Sequence, residues 1–514
     1  MKRLSKIFKI LVLIAPLVLF FSYFPVIGFG ANGSMNFEFS LPLLWLVLFD
    51  VVAFFLMIQK KLLFSDIKKK WVWLLFPLWL SVTVLWSLNF IRGVLVVGIL
   101  WLLYFAGYAV WSLKSLFDQE FRWKFWRGFF GATLVVCFWC ILQCVLDLVG
   151  VSRDYSLMCA GCTYSMFGFP HPNGFAIEPQ FMGNLLLAPA IITAWFIIIK
   201  QKNKNLEWEH SRDRVFNNRS GGLTPKLQFR RSSVTVVKNT VGSHSLYSKF
   251  LLFCFFIVTA TLFLTFSRGA IYSLVVGLLF MTAYLIMREK KTRGEIVKRI
   301  GLVWGVVVLS FLFTLNLQGI MAAVSPTNDT YKTGVTKVLN HLSLGVIDIR
   351  GNEPVSEKSY APESEKTGVG DDSLPKEAAF DGYVPESTDT RVKLTGAALE
   401  VWSKDFTTAM FGVGLGGAGQ ALYVNGLTSS PKEIVQNQYA SLLLETGIVG
   451  VILMVVSLIM MVKIAIKNQF SVGVLSLIVA YLVSLCFFAG LPNALHIYLL
   501  PVILMAVMKK TAKR

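Results

Sequence analysis

Charge is scarce in this chain. Only 15% of its 514 residues are Asp, Glu, Lys or Arg, against about a quarter in a soluble globular domain. A string of water-soluble domains is thereby excluded. The signatures of soluble enzymes are missing too: there is no HExxH, no P-loop, no GxSxG and no DxD-type metal pair on a loop. The sequence therefore carries no signature of metalloprotease, P-loop nucleotide or serine-hydrolase chemistry. Seven cysteines are present. Cys137, Cys140, Cys144, Cys254 and Cys486 fall in apolar runs and read as small apolar fillers. Cys159 and Cys162 form one CAGC, without the second ligand pair that a structural zinc requires. An oxidising compartment would allow a local disulfide between them.

What the chain does have is apolar sequence. It is 55% hydrophobic and 14% aromatic, with a mean hydropathy of +0.63. Runs near 20 residues recur, each able to cross a hydrocarbon core of about 30 Å as a helix. MKRLSKIFK precedes the first, which continues to about Gly30. That run is longer than a signal-peptide core and reads as an uncleaved helix with its N-terminus inside. Further spans are expected at 41–58, 71–88, 90–111, 128–149, 177–199, 248–266, 268–287, 300–319, 438–463, 470–489 and 493–508. The expected fold is an all-α polytopic membrane protein of about twelve transmembrane helices, with one large extracytoplasmic loop between helices 9 and 10. Residues 1–319 carry the first nine helices, 320–436 the loop, and 437–514 the last three helices with a basic cytoplasmic tail.

The net charge of +20 is distributed as membrane topology requires, and no nucleic-acid partner is expected. Segment 200–249 holds eleven Lys/Arg against three Asp/Glu, whereas 320–436 holds ten against fifteen. Every strongly basic connection falls on one side when twelve spans are threaded. The 200–249 segment is expected to lie against anionic lipid headgroups. In the long loop, 351–387 is charged and poor in large apolar residues, as disordered or lid-like segments are. From 388 the sequence turns helical, with Thr388 or Asp389 as a cap and Leu394, Ala397, Ala398, Val401 and Trp402 as an apolar packing stripe.

Four outward groups could carry chemistry. FGFPHPNGFAIEPQF (167–181) places His171 and Glu178 at a span boundary, as a shaped turn with a capping carboxylate or as a substrate contact. TFSRGA (265–270) sets Arg268 between two spans, where it either snorkels to headgroups or grips a phosphate with its fork of donors. The loop brings Arg391, His341 and FGVGLGGAG (411–419), whose Gly412, Gly414 and Gly416 make tight turns or a backbone nest for phosphate or sugar. At the loop exit stand Gln436 and Asn437. Glu445 follows about two turns into the membrane, where a carboxylate needs a partner or a proton.

The TxSRGA turn, the Arg…Trp…FGVGLGG run and the loop exit together resemble the O-antigen ligase and O-antigen polymerase superfamily of bacterial membrane glycosyltransferases. Its ligases carry a His-Asn pair, nine residues, Gly, two residues and Gly. Here Gln436-Asn437 is followed by nine residues, then Gly447, two more and Gly450. The expected His is Gln436, and Gln cannot act as a base near neutral pH. The resemblance implies glycan transfer from a polyprenyl-pyrophosphate carrier to a second glycan or lipid acceptor, at the outer face of the bacterial cytoplasmic membrane. Neither metal nor cofactor is implied. On this reading Arg268, Arg391, Gln436 and Asn437 are catalytic. His171, Glu178, His341, Gly412, Gly414, Gly416 and Glu445 contact substrate, and His341, Glu178, His171 or Glu445 could replace the missing base. The departure at Gln436 leans the reading toward a polymerase over a ligase. A flippase for lipid-linked glycans is the competing class, but no internal repeat of the transporter type is found. A glycan-binding relative without activity is the other alternative.

Overall fold

The computed structural model describes residues 2–22, 26–29, 37–62, 72–148, 172–176, 178–199, 233–288, 293–324, 331–343, 376–467, 472–490 and 494–508. His171, the Cys159–Cys162 pair, residues 200–232 and residues 344–375 lie outside them. The described cysteines Cys137, Cys140, Cys144 and Cys254 are buried thiols, and Cys486 is exposed.

Among the described residues, twelve helices form a bundle: α1 (Lys2–Phe20), α2 (Leu41–Gln59), α3 (Val72–Thr83), α4 (Phe90–Ser112), α5 (Gln119–Leu148), α6 (Pro179–Ile199), α7 (Ser233–Leu264), α8 (Arg268–Arg288), α9 (Arg293–Val324), and, numbered after four intervening helices, α14 (Gln438–Lys467), α15 (Val472–Ser484) and α16 (Leu495–Met508). The four between are α10 (Tyr331–Leu342), α11 (Lys376–Trp402), α12 (Phe406–Phe411) and α13 (Ala418–Val424). Each expected span falls on a bundle helix. Seven of these helices are both long and apolar enough to cross a bilayer, and four more apolar stretches are shorter. α1 is the remaining one, with Lys2, Arg3, Lys6 and Lys9 in its opening turns.

Large apolar side chains on the outside of the bundle are exposed in rows, as with Leu44, Leu48, Val51 and Phe55 on α2. Such faces suit lipid rather than water. α6 is the central post. Met182, Leu185, Leu186, Ile191 and Ile192 on it are fully or almost fully buried, against α7, α8, α9 and α15. Helix starts are conventional: the Asn89 side chain accepts the Arg92 N–H at 3.2 Å to cap α4, and Pro42 stands in the first turn of α2.

Two expectations are corrected. The first helix stops at Phe20 rather than near Gly30, and Val26–Phe29 pairs antiparallel with Phe37–Ser40 as a two-stranded ribbon, β1 and β2. The sequence carries Pro25 between the two elements, a residue type that disfavours one continuous helix across this stretch. In the loop, the helix that was to start at Thr388 or Asp389 starts at Lys376, so neither residue caps it. Asp389 instead pairs with Lys393 one turn on, at 2.5 Å. The stripe itself packs as expected: Leu394, Ala398 and Val401 are buried with Ala421, Leu422, Val435 and Leu444.

Candidate active site

The TFSRGA turn is built under strain. Phe266 has φ 50°, a left-handed conformation that a bulky residue rarely adopts without tertiary support. Thr265 Oγ1 donates to the Leu262 carbonyl at 2.7 Å, and Ser267 Oγ accepts the Ala270 N–H at 3.3 Å. The turn can press against α6 because residue 183 is Gly: a Cβ there would lie 2.8 Å from Ser267 Cβ and 2.9 Å from Ala270 Cβ. Arg268 is the first residue of α8 and is only 7% exposed. A guanidinium that snorkels to headgroups would be exposed, so the burial argues for an inward task.

His341 reaches this turn from the long loop. α10 folds back along the end of α9, where Gly334 lets it approach to within contact of Ala322 and Gln318. Tyr272 Oη donates to the Leu342 carbonyl at 2.6 Å, which fixes the end of α10 on α8. His341 Nε2 then lies 3.0 Å from the Phe266 carbonyl. Burial, together with the charges of Arg268 and Arg391, pulls the imidazole pKa down to about 3. The ring is therefore neutral across the physiological range.

Arg391 arrives from α11. Its Nη2 donates to Gln180 Oε1 at 3.1 Å, and Gln180 Nε2 donates to the Phe487 carbonyl at 3.0 Å. Glu178, at the start of α6, is pushed up by burial, and the Arg391 charge partly offsets this. Below it, Gln143 from α5 donates to Asn173 Oδ1 at 3.2 Å and accepts the Gly174 N–H at 2.9 Å, which anchors the 172–176 turn. Arg268, His341, Arg391 and Glu178 are thus gathered from four separate segments at one end of the bundle. Two guanidinium groups beside a helix N-terminus concentrate positive charge at this end of the bundle.

The loop exit sits close by but plays a different local part. Asn437 Oδ1 accepts the N–H groups of Tyr439 at 3.0 Å and Ala440 at 3.2 Å, so it caps α14. Gln436 precedes it, half-buried. The next residue makes the connection: Gln438 N–H donates to the Leu485 carbonyl at 2.9 Å, and its Oε1 accepts the Gly490 N–H at 2.7 Å. The 485–490 turn after α15 therefore has Gln438 on one side and Gln180 on the other.

The glycine-rich segment and Glu445 form a second constellation. α14 is broken at Gly447, whose φ 64° and ψ −173° are not helical. The carbonyls freed by the break find donors. Val413 N–H meets the Leu444 carbonyl at 2.9 Å and Gly414 N–H the Glu445 carbonyl at 3.0 Å, while Trp79 Nε1 meets that of Thr446 at 3.1 Å. Gly412, Gly414 and Gly416 all have positive φ and lie where a Cβ would strike the backbone of Glu445, Ser87 and Gly93 respectively. Their N–H groups point at the Thr408 carbonyl, the Glu445 carbonyl and the Glu445 carboxylate. The nest for a phosphate is therefore corrected to a wedge that seals the helix break. Glu445 obtains the partners its position demanded, the N–H groups of Gly416 and of Ala418, the latter at 3.4 Å.

Gln180, Tyr272, Arg92 and the 485–490 turn were not singled out from the sequence. Gln180 was within reach, since it is a polar residue in the first turn of an apolar span beside Glu178. The other three are marked only by what folds against them. Because Gln180 holds Arg391 with an acceptor, Gln180→Leu should remove that acceptor from the guanidinium. Turnover should fall about tenfold, as for loss of one charge-assisted hydrogen bond, with melting temperature near wild type. Full turnover by purified Gln180→Leu would show that Arg391 needs no such tether.

Residues 253–455 match a family model described as O-antigen ligase. The matched stretch contains Arg268, His341, Arg391 and Glu445, whereas Glu178, Gln180 and the 485–490 turn lie outside it. Comparison with curated proteins and with solved structures returns no match.

Proposed function

We propose that this chain, whose residues 253–455 match a family model described as O-antigen ligase, moves a glycan from a polyprenyl-pyrophosphate carrier to a hydroxyl of a second glycan or lipid. The observation that carries the reading is the convergence of Arg268 and Arg391 on His341 at one end of the bundle. The acceptor oxygen attacks the anomeric carbon of the donor sugar, and the bond from that carbon to the carrier phosphate breaks. The polyprenyl pyrophosphate leaves with the bonding electrons. Arg268 and Arg391 stabilise the charge that develops on it. The acceptor proton passes to a base, and neutral His341, on which both arginines act through their charge, is the candidate. Gln436 in place of the ligases' His leans the reading toward a polymerase. Twelve crossings, with the site end facing outward from the cytoplasmic membrane, complete the reading. Release of polyprenyl pyrophosphate and lengthening of the acceptor by purified protein in lipid nanodiscs would establish it. A protein that binds such donors yet never turns them over would be a transporter or a binder instead.

The pH behaviour follows from His341. Its folded pKa of about 3 lies below the ordinary value, so between those two values the unfolded chain binds a proton that the folded chain refuses. Stability contributed here is present above the ordinary histidine pKa and declines as pH falls toward 3. A bound pyrophosphate offsets the two guanidinium charges and raises the basicity of the ring. The acid limb of kcat should accordingly lie at higher pH than that of kcat/KM. Coincident limbs, or a His341→Asn variant with an unchanged pH profile, would rule His341 out as the base.

Sidedness is tested by labelling single cysteines, Val215→Cys and Glu365→Cys, in a background without the native ones. An impermeant reagent in intact cells (with any outer membrane permeabilised) should label position 365 and not 215. The reverse pattern would overturn the topology.

A further inference from the structure

A second polar cavity lies between α3, α4, α14 and the glycine-rich segment, and nothing in the transfer chemistry above uses it. Glu445, Arg92, Gln438 and Ser441 line it, with apolar walls from Phe76, Leu80, Val96 and Leu442. Its volume is about 40 Å³, room for about three water-sized groups. That is the size of a hydroxymethyl arm or a pair of ring hydroxyls rather than a whole sugar.

The polar set is unusual for a structural filler. Arg92 acts on Glu445 through its charge, yet among the described residues no ion pair within 4.0 Å joins them. The Arg92 guanidinium and Ser441 Oγ likewise make no hydrogen bond to a described residue. The N–H groups of Gly416 and Ala418 occupy only part of what the Glu445 carboxylate can accept. A partly buried guanidinium, hydroxyl and carboxylate therefore line one cavity with hydrogen-bonding capacity beyond these contacts. Sugar hydroxyls, which both donate and accept, are the ligand chemistry that satisfies all of them, while the apolar walls suit the C–H face of a ring.

The position fits the same idea. Ala489 rims the cavity, and Gln438 holds the adjacent Gly490 N–H at 2.7 Å. The other flank of that 485–490 turn carries the Phe487 carbonyl that accepts from Gln180, the residue tethering Arg391. One turn therefore separates the cavity from the arginine cluster. We propose that this cavity is a carbohydrate subsite in which Glu445, Arg92, Gln438 and Ser441 hold hydroxyl groups of the acceptor glycan beside the donor's pyrophosphate. The proposal rests on the glycan-transfer reading for its role, although binding can be measured without transfer.

The test uses the full chain in nanodiscs, with Ser441→Leu to fill the cavity and Glu445→Gln to remove the charge. With a polyprenyl-pyrophosphate-linked oligosaccharide at saturation and the acceptor varied, the acceptor KM should rise about tenfold or more, as for loss of a charged hydrogen-bond partner. kcat and the donor KM should stay within about twofold, the pattern of lost uniform binding. In parallel, carrier-free tetrasaccharides of hexose and N-acetylhexosamine units should raise the melting temperature of wild type and of Arg268→Ala, but not of Ser441→Leu. Should Glu445→Gln fail to fold, Ser441→Leu alone decides. An unchanged acceptor KM in folded Ser441→Leu, or an undiminished thermal shift, overturns the subsite, as does absence of binding by every tetrasaccharide. If wild type turns over no donor, the transfer reading fails. The thermal shift then still supports or overturns the carbohydrate subsite by itself.

Discussion

Arg268→Ala should lose nearly all glycan transfer, and Arg268→Lys much of it. The side chain is 7% exposed at the first residue of α8, beside a turn whose Phe266 is held at φ 50°. The aligned N–H groups at that helix end favour an anion, and the guanidinium adds two parallel donors in a fixed fork. Lysine offers a compact point charge on a flexible stem and cannot reproduce the fork. Removing one preorganised donor from a developing oxyanion costs about 3 kcal/mol, or roughly a hundredfold in rate. The measurement is turnover of a defined lipid-linked glycan by matched amounts of purified variants. A second readout separates chemistry from misfolding. Because the Arg268 charge helps to depress the His341 pKa, Arg268→Ala should move the acid limb of kcat/KM upward. Wild-type turnover by both variants would end the phosphate role.

Gly447→Ala should fail in a different way, by unfolding. Its φ 64° and ψ −173° lie in a region that is open essentially only to glycine. A methyl group there would sit 2.2 Å from the Met410 carbonyl oxygen and 2.5 Å from the Phe411 nitrogen. Backbone cannot move aside as a side chain can. Seating that methyl would push α12 off the break and leave the Leu444, Glu445 and Thr446 carbonyls without the donors that now satisfy them. Strain, overlap and orphaned carbonyls together should cost about 4 kcal/mol or more. The expected result is a large drop in the melting temperature and in the amount of monodisperse protein recovered from the membrane. Gly305→Ala is the control, since nothing lies within 4 Å of the methyl it adds, and alanine is the better helix former. Equal stability of the two variants would mean that the break is not a fixed feature of α14.

The sequence by itself determined the helices and the polar character of one end. Apolar runs near 20 residues have few alternatives in a bilayer, because every backbone N–H and carbonyl must be satisfied within the segment. That is why a helix lies within each expected span, seven of them long and apolar enough to cross a bilayer. It also marked Arg268 and Glu445, because a charge flanked by apolar sequence is conspicuous without any fold. It marked the 394–402 stripe as packing, because helical periodicity is local.

Only the tertiary structure decided which of these residues meet. His341 and Arg391 are fifty positions apart in a long loop, and nothing local to either announces that α10 folds back on α9 while α11 leads to Gln180. The spacing Asn437, nine residues, Gly447 was legible as a motif, but not its cause. Asn437 caps α14, and Gly447 breaks it where α12 docks. Likewise the glycines of FGVGLGGAG declared conformational freedom in the sequence and left its use open. Phosphate and backbone both ask for a missing Cβ, and only the positions of Glu445, Ser87 and Gly93 show that backbone fills the space.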